Sequence, residues 1–377
     1  MYYYPFLNNP RAYLSTVNSL HPAALKLAAN LCTFAGAERD YSTGTIYGCG
    51  GAQVGLVGDS LLHGSNSYIT SIGGAAGTAA WHIYGFAGIL RRALQAKFSQ
   101  PSNDTTTGAR TGGFGLMNFV PGHTSPTAVG YPNQNICSVG GTVTTDWTAE
   151  YAVGTVGLGG KFLNLKAGGA GYVRIDLGAN LTDTPLKRDN ATIQTHMILV
   201  GNKKSGAGTL RIDVNASTTL PATPGSGAFL TTTWAMANAT TVVGARSPIY
   251  SLTATGHTAH TVRLSCPASG GDVELTGAMF FDEDLGSGIQ VHQFGGPGAE
   301  AAHWSATNLA GLADFGSGYS ISGNVMTPLP SANGANNCRW WITDFITNDI
   351  SGRTLTEYET NLRVVVTYLA GLATTDL

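Results

Sequence analysis

Three short stretches hold residue types that could do chemistry: "VGLVGDSLLHGSNS" (54–67), "QVHQFGGPGAEA" (290–301) and "RWWITDFITNDI" (339–350). In each, strand-favouring residues run into small or polar ones. A serine presented at a strand end, Ser60, is a candidate nucleophile. A glycine-rich turn lets backbone approach a ligand closely. An asparagine offers a neutral amide donor that needs no pKa tuning. Taken singly, each stretch has a plainer reading: Gly58-Asp59-Ser60 as a turn, Gly295–Gly298 as loop geometry, Asn348-Asp349 as a cap or Asx-turn.

The elements around them give the stretches a common setting. "AQVGLVGDS" reads as a strand, and "TAAWHIYGFAGILRRALQAKF" (78–98) has apolar residues at helical spacing and a basic end. "GIQVHQFGGPGAEAAHWSATNLAGL" reads as strand, turn and helix; "CRWWITDFITNDI" reads as a buried strand ending in Thr-Asn-Asp. "TLTEYETNLRVVVTYLAGL" is a helix in which Thr354-x-x-Glu357 and Thr356-x-x-Glu359 both fit a capping box. Its Tyr358, Leu362, Val365, Leu369 and Leu372 follow helical spacing. The three chemical stretches therefore fall at the C-terminal ends of strands, the edge where open α/β sheets build sites.

Between them the texture changes. From about 104 to 284 no helix is expected, and "GYVRIDLGAN", "TIQTHMILVGN", "GTLRIDVNAS", "HTVRLSCPAS" and "GDVELTGAMFF" alternate with Gly, Pro, Asn and Ser clusters. That spacing fits an all-β sandwich. The expected organisation is an N-terminal extension (1–50, with a short helix at 22–37), an α/β segment (51–103), an inserted β-sandwich (104–285) and a second α/β segment (286–377).

The order and placement of the three stretches resemble the GDSL, or SGNH, hydrolase family. "VGLVGDSLLHG" matches its first block, "IQVHQFGGPGAEA" resembles its second, and "FITND" resembles its third, with Ile346 where the family has glycine. The resemblance implies a three-layer α/β/α, flavodoxin-like domain with a mostly parallel sheet, interrupted by the sandwich. It implies Ser60 as nucleophile and Gly298 and Asn348 as oxyanion donors. Acyl transfer uses such a set: Ser60 attacks an ester carbonyl while the N–H groups of Ser60 and Gly298 and the Asn348 amide hold the developing charge. Asp59 is expected to shape the turn. The implied activity is removal of O-acetyl groups from a polysaccharide, with the sandwich gripping carbohydrate; Trp81, Trp304, Trp340 and Trp341 could serve sugars or the core alike.

The general base is the gap. The family draws it from an Asp-x-x-His block downstream of the third block; 28 residues follow Asp349 here, and none is histidine. Three sources remain open: a second polypeptide or missing C-terminal part supplying Asp and His; loss of activity, leaving a structural or adhesion protein that binds glycans; or a histidine elsewhere in the chain. His21, in "NSLHPAALKLAANL" with Asn18 in the acid's place, resembles a permuted final block. His63 is expected to line the pocket mouth or cap a turn, His292 and His303 to be polar neighbours of the site, and His82 to be structural; His123, His196, His257 and His260 belong to the β-region.

Composition narrows the remaining classes. Only 11% of residues are charged, the formal net charge is -2, and there is no basic tract, so nucleic acid is not an expected partner. The neutral, Gly- and Thr-rich surface suits an extracellular or virion-associated protein, such as a tail-fibre component within a larger assembly. Residues 60–90 contain no Asp, Glu, Lys or Arg, but their Gly, Ser, Asn and Thr content and His82 argue against a membrane span. No signal peptide is expected at "MYYYPFLNNPRAYL". Cys32, Cys49, Cys137, Cys266 and Cys338 lack zinc-site spacing, and no motif requires a cofactor or metal. Asp282, Glu283 and Asp284 are expected to form a solvated turn rather than a glycosidase pair.

Overall fold

The computed structural model describes residues 39–40, 45–46, 52–59, 62, 86–91, 114–119, 137–176, 187–188, 192–193, 196–217, 220–254, 257–258, 261–281, 289–295, 298–313, 319–322, 325–328 and 338–374. The principal strands in chain order are β1 (Ala52–Gly58), β2 (Phe114–Asn118), β3 (Cys137–Gly140), β4 (Trp147–Tyr151), β5 (Lys161–Leu165), β6 (Tyr172–Asp176) and β7 (His196–Lys203). There follow β8 (Thr209–Asn215), β9 (Ala228–Ala235), β10 (Val242–Arg246), β11 (Thr261–Ser265), β12 (Val273–Phe281), β13 (Ile289–Gln293) and β14 (Cys338–Asp344). The helices that matter to the site are α1 (Ala306–Ala313), α2 (Ile346–Gly352) and α3 (Leu355–Thr374).

Two antiparallel sheets dominate. One has the order β10-β7-β12-β5-β4, with β2 added on β12 and Tyr250–Ser251 on β7; the other runs β9-β8-β11-β6-β3. Their facing side chains form one apolar core, including Leu163, Leu165, Met197, Leu199, Leu210, Ile212, Val214, Leu264 and Leu275. All five alternating segments read as strands in the sequence form strands of these sheets. No helix interrupts the described residues from 114 to 281.

The parallel part is small. β13 and β14 flank β1 in the order β13-β1-β14, with Val54 opposite Val291 on one side and Trp340 on the other. These are the parallel pairings among the described strands; all the others are antiparallel. The three-layer α/β/α architecture with a mostly parallel sheet is therefore incorrect for this chain. The strand–helix rhythm near the two ends gives three parallel strands, and hairpin-linked antiparallel sheets make up the bulk.

A second core replaces part of the expected helical cover. β7 is buried along its length: Met197 and Leu199 face the sandwich core, while Ile198 and Val200 turn outward. Those outward residues, with Met279 and Val243, pack with Val57, Phe294, Leu309, Phe345 and Val365. The seven-stranded sheet is thus apolar on both faces, which explains its near-continuous hydrophobic runs.

The C-terminal helix forms as its sequence predicts. The Thr354 N–H donates to Glu357 Oε2 at 2.8 Å, and the Glu357 N–H donates to Thr354 Oγ1 at 3.3 Å. This is the reciprocal capping box, set by the first of the two overlapping candidates. Val365 and Leu369 are buried, with Tyr358 and Leu362 against the same core. No helix among the described residues is long and apolar enough to cross a membrane. The expected helix at 22–37 lies outside the described residues, and that at 78–98 is described as helix over 86–91.

Candidate active site

The ends of β1, β13 and β14 meet at one edge. Gly58, the last residue of β1, fits because it lacks a side chain: a Cβ there would sit 2.4 Å from the Asp344 carbonyl oxygen. The Asp59 N–H donates to that same carbonyl at 2.8 Å. Across the strand, a Cβ on Gly295 would fall 1.7 Å from the Gly58 oxygen. These contacts bring the three chain segments together where β1 hands over to Ser60. Asp59 is buried; Ser60 itself lies outside the described residues.

The other two predicted site residues come together. Gly298 has φ +76°, a left-handed conformation that favours glycine. The next residue, Ala299, is buried, and its carbonyl accepts from Asn348 Nδ2 at 3.1 Å. Asn348 does not end a strand, as its sequence context suggests. β14 stops at Asp344, and Asn348 sits in the first turn of α2. One Nδ2 hydrogen is committed to Ala299, which fixes the amide's direction, and an amide nitrogen carries a second.

Beside it stands a residue the sequence reading treats only as a cap. Asp349 is buried and its Oδ2 accepts the Ala301 N–H at 2.9 Å. Burial pushes its carboxyl above the usual range; Glu300 and Asp59 add to the rise, while the Ala301 hydrogen bond and Arg353 oppose it. Asp59, just past the end of β1, and Asp349, in the first turn of α2, therefore sense one another's charge. Glu300 is in turn paired with Arg353 at 2.6 Å.

Lys161 is the functional candidate missing from the sequence reading. Positive φ at Gly159 (+71°) and Gly160 (+67°) turns the chain so that β5 starts against the glycine-rich turn; a Cβ on Gly160 would meet His303 Cβ at 2.9 Å. Lys161 is 2% exposed, and its Nζ donates to the Gly295 carbonyl at 2.5 Å. Burial pushes its pKa down to about 7. An antiparallel strand thus reaches into the turn between β13 and Gly298. Nothing in "GGKFLNL" marks this lysine; tertiary packing does.

The described histidines near the turn are held as acceptors. His292 is buried, and its Nδ1 accepts the Leu116 N–H at 3.0 Å. Burial first, with Arg246 nearby, lowers its pKa to about 3. His303 Nδ1 accepts the Glu300 N–H at 2.9 Å, and burial lowers its pKa as well, against the opposing effect of Glu300. A neutral imidazole that accepts at Nδ1 carries its proton on Nε2, so in this arrangement neither ring offers a basic Nε2. His196 is a partly buried strand residue of β7, and His257 lies in the short strand His257–Thr258. His21, His63, His82, His123 and His260, with Asp282, Glu283 and Asp284, lie outside the described residues.

No protein-family model matches the chain. No curated protein matches it either. Among solved structures, one described as "Peptidoglycan O-acetylesterase in action, 5 min" is similar at a TM-score of 0.44 and 14% identity, over 85% of this chain. This chain spans 64% of that structure's length.

Proposed function

We propose that the chain is a serine carboxylic-ester hydrolase, working as SGNH enzymes do, that removes O-acyl groups from a polysaccharide. The observation that supports this is the convergence of three segments at the ends of β13-β1-β14: Asp59 on the Asp344 carbonyl, Gly295 against the Gly58 carbonyl, and Asn348 on the carbonyl of Ala299, next to Gly298. Ser60 Oγ attacks the acyl carbonyl and gives its proton to a general base. The tetrahedral oxyanion accepts from the Ser60 and Gly298 N–H groups and from the second Nδ2 hydrogen of Asn348. Collapse expels the sugar hydroxyl, and water then releases the acyl group from Ser60. For the base, this reading takes an Asp–His pair supplied by a second polypeptide, with His21 of this chain as the alternative.

One observation favours a second reading, an inactive glycan-binding scaffold: His292 and His303 both accept at Nδ1 from backbone. A fluorophosphonate probe separates the two readings, because it reacts with activated serines. Labelling of the native assembly at Ser60, lost in Ser60→Ala together with acetate release from an acetylated polysaccharide, is the expected result. An unlabelled Ser60 beside a labelled control hydrolase would decide for the scaffold.

A further inference from the structure

The sandwich reaches into the candidate active site through Lys161, the first residue of β5. Its side chain is buried, and Nζ donates to the Gly295 carbonyl at 2.5 Å. Among the described residues no carboxylate pairs with it. An amine buried without a counter-charge costs stability, and an apolar side chain of similar length would fill the space more favourably. Packing therefore does not explain the lysine; the carbonyl it holds does.

The backbone behind Lys161 is fixed from two sides. A Cβ on Gly159 would sit 2.7 Å from the Phe294 carbonyl oxygen, and one on Gly160 would sit 3.0 Å from the His303 oxygen. β5 therefore starts flush between the end of β13 and the short 3-10 helix Ala301–His303. The Gly160 N–H donates to the Gly157 carbonyl at 2.8 Å. Asn308 of α1 is fully buried; it accepts the Gly157 N–H at 2.8 Å and donates to the Thr155 carbonyl at 2.9 Å and the His303 carbonyl at 2.8 Å. One amide thus ties the turn before Lys161 to the segment that follows Gly298.

The chain that Lys161 grips is "GGPG", Gly295 to Gly298. On one side of it the Phe294 N–H donates to the Leu56 carbonyl at 2.9 Å. On the other, the Ala299 carbonyl is held by Asn348 and the Ala301 N–H by Asp349. Peptide planes flanked by glycine reorient at little steric cost. A planar peptide rotates as a unit, so a hydrogen bond to its carbonyl fixes the whole plane. The Lys161 bond removes that freedom from the first plane of the turn. A donor aimed in advance at developing charge is what an oxyanion site needs.

We propose that Lys161 is a positioning residue: by holding the Gly295 carbonyl it fixes the turn that presents the Gly298 N–H to the oxyanion. The sandwich is then part of the catalytic framework. The oxyanion in this inference rests on the proposed function; the anchor rests on geometry alone. Lys161→Met keeps an apolar stem and removes the donor. In the native assembly, kcat for acetate release from an acetylated polysaccharide should fall about ten- to a hundredfold with KM little changed. Fluorophosphonate labelling of Ser60 should slow by a similar factor, in protein that still melts cooperatively. A lysine needed only for packing would lower the melting temperature and leave kcat per folded molecule as it was.

A second readout involves no ester. Glycine labelled at both its carbonyl carbon and its nitrogen selects Gly–Gly bonds in NMR spectra, Gly295–Gly296 among them. The Gly295 carbonyl resonance should titrate with a midpoint of about 7, the value to which burial pushes Lys161, and should stop doing so in Lys161→Met. His303 is the titratable neighbour that feels the Lys161 charge, with Glu300 and its partner Arg353 behind it; burial holds His303 below its ordinary value, so it would give a lower midpoint. Wild-type kcat in Lys161→Met, or a Gly295 carbonyl indifferent to the substitution, would overturn the positioning role. A wild type that neither labels nor releases acetate overturns the proposed function itself, and the catalytic role of Lys161 falls with it. The first failure is read from the variant and the second from the wild type, so the two are distinguishable.

Discussion

At the scale of single residues, the buried Lys161 and the amide of Asn348 make opposite kinds of prediction. With a folded pKa of about 7 against 10.5 unfolded, the unfolded chain holds the Lys161 proton more tightly. Its contribution to stability therefore rises with pH between about 7 and 10.5 and is least favourable below 7. Lys161→Met should abolish that rise. Urea unfolding at pH 6 and pH 9.5 is the check: the wild-type gain over the variant should grow by a few kcal/mol at the higher pH. Equal differences at both values would mean the ammonium is not buried as described. Asn348→Ala is a catalytic test. Loss of one oxyanion donor should lower kcat by about a hundredfold or more, with KM little changed. A change confined to KM would assign Asn348 to substrate binding instead.

At the scale of elements, the close approach of β1 to its neighbours is the most exposed feature to mutation. Gly295→Ala would put a methyl 1.7 Å from the Gly58 oxygen. Backbone cannot yield there without parting β1 from β13, so the variant should lose several kcal/mol or fail to fold, as overpacked sites do. A thermal melt of Gly295→Ala beside Gly371→Ala, an exposed helical position where an added Cβ meets nothing within 4 Å, reports the difference. Gly371→Ala should be neutral or stabilising, since alanine is the better helix former by about 1 kcal/mol. Similar melts for the two variants would show that β1 and β13 tolerate separation.

At the scale of the whole molecule, the seven-stranded sheet carries apolar side chains on both faces, so the sandwich and the parallel strands should unfold together. Calorimetry is expected to show one transition for the described body, and Val200→Asp should lower it as a unit. Two transitions, with only one moved by Val200→Asp, would mean the second core does not couple the two parts. The alternating strands, the capping box of Thr354 and Glu357, and the three chemical stretches were legible in the sequence because local periodicity and short motifs encode them. Partner choice was not. Which strands pair, and whether parallel or antiparallel, depends on contacts between segments far apart in the chain. The parallel sheet accordingly proved to be three strands, and "FITND" opens a helix rather than ending a strand. Ser60, Gly298 and Asn348 were named through the family resemblance that the order of the three stretches carries. The contact of Asn348 with Ala299 beside Gly298 and the reach of Lys161 to Gly295 were decided by tertiary structure. A side chain's burial and partners depend on what the rest of the chain brings to it.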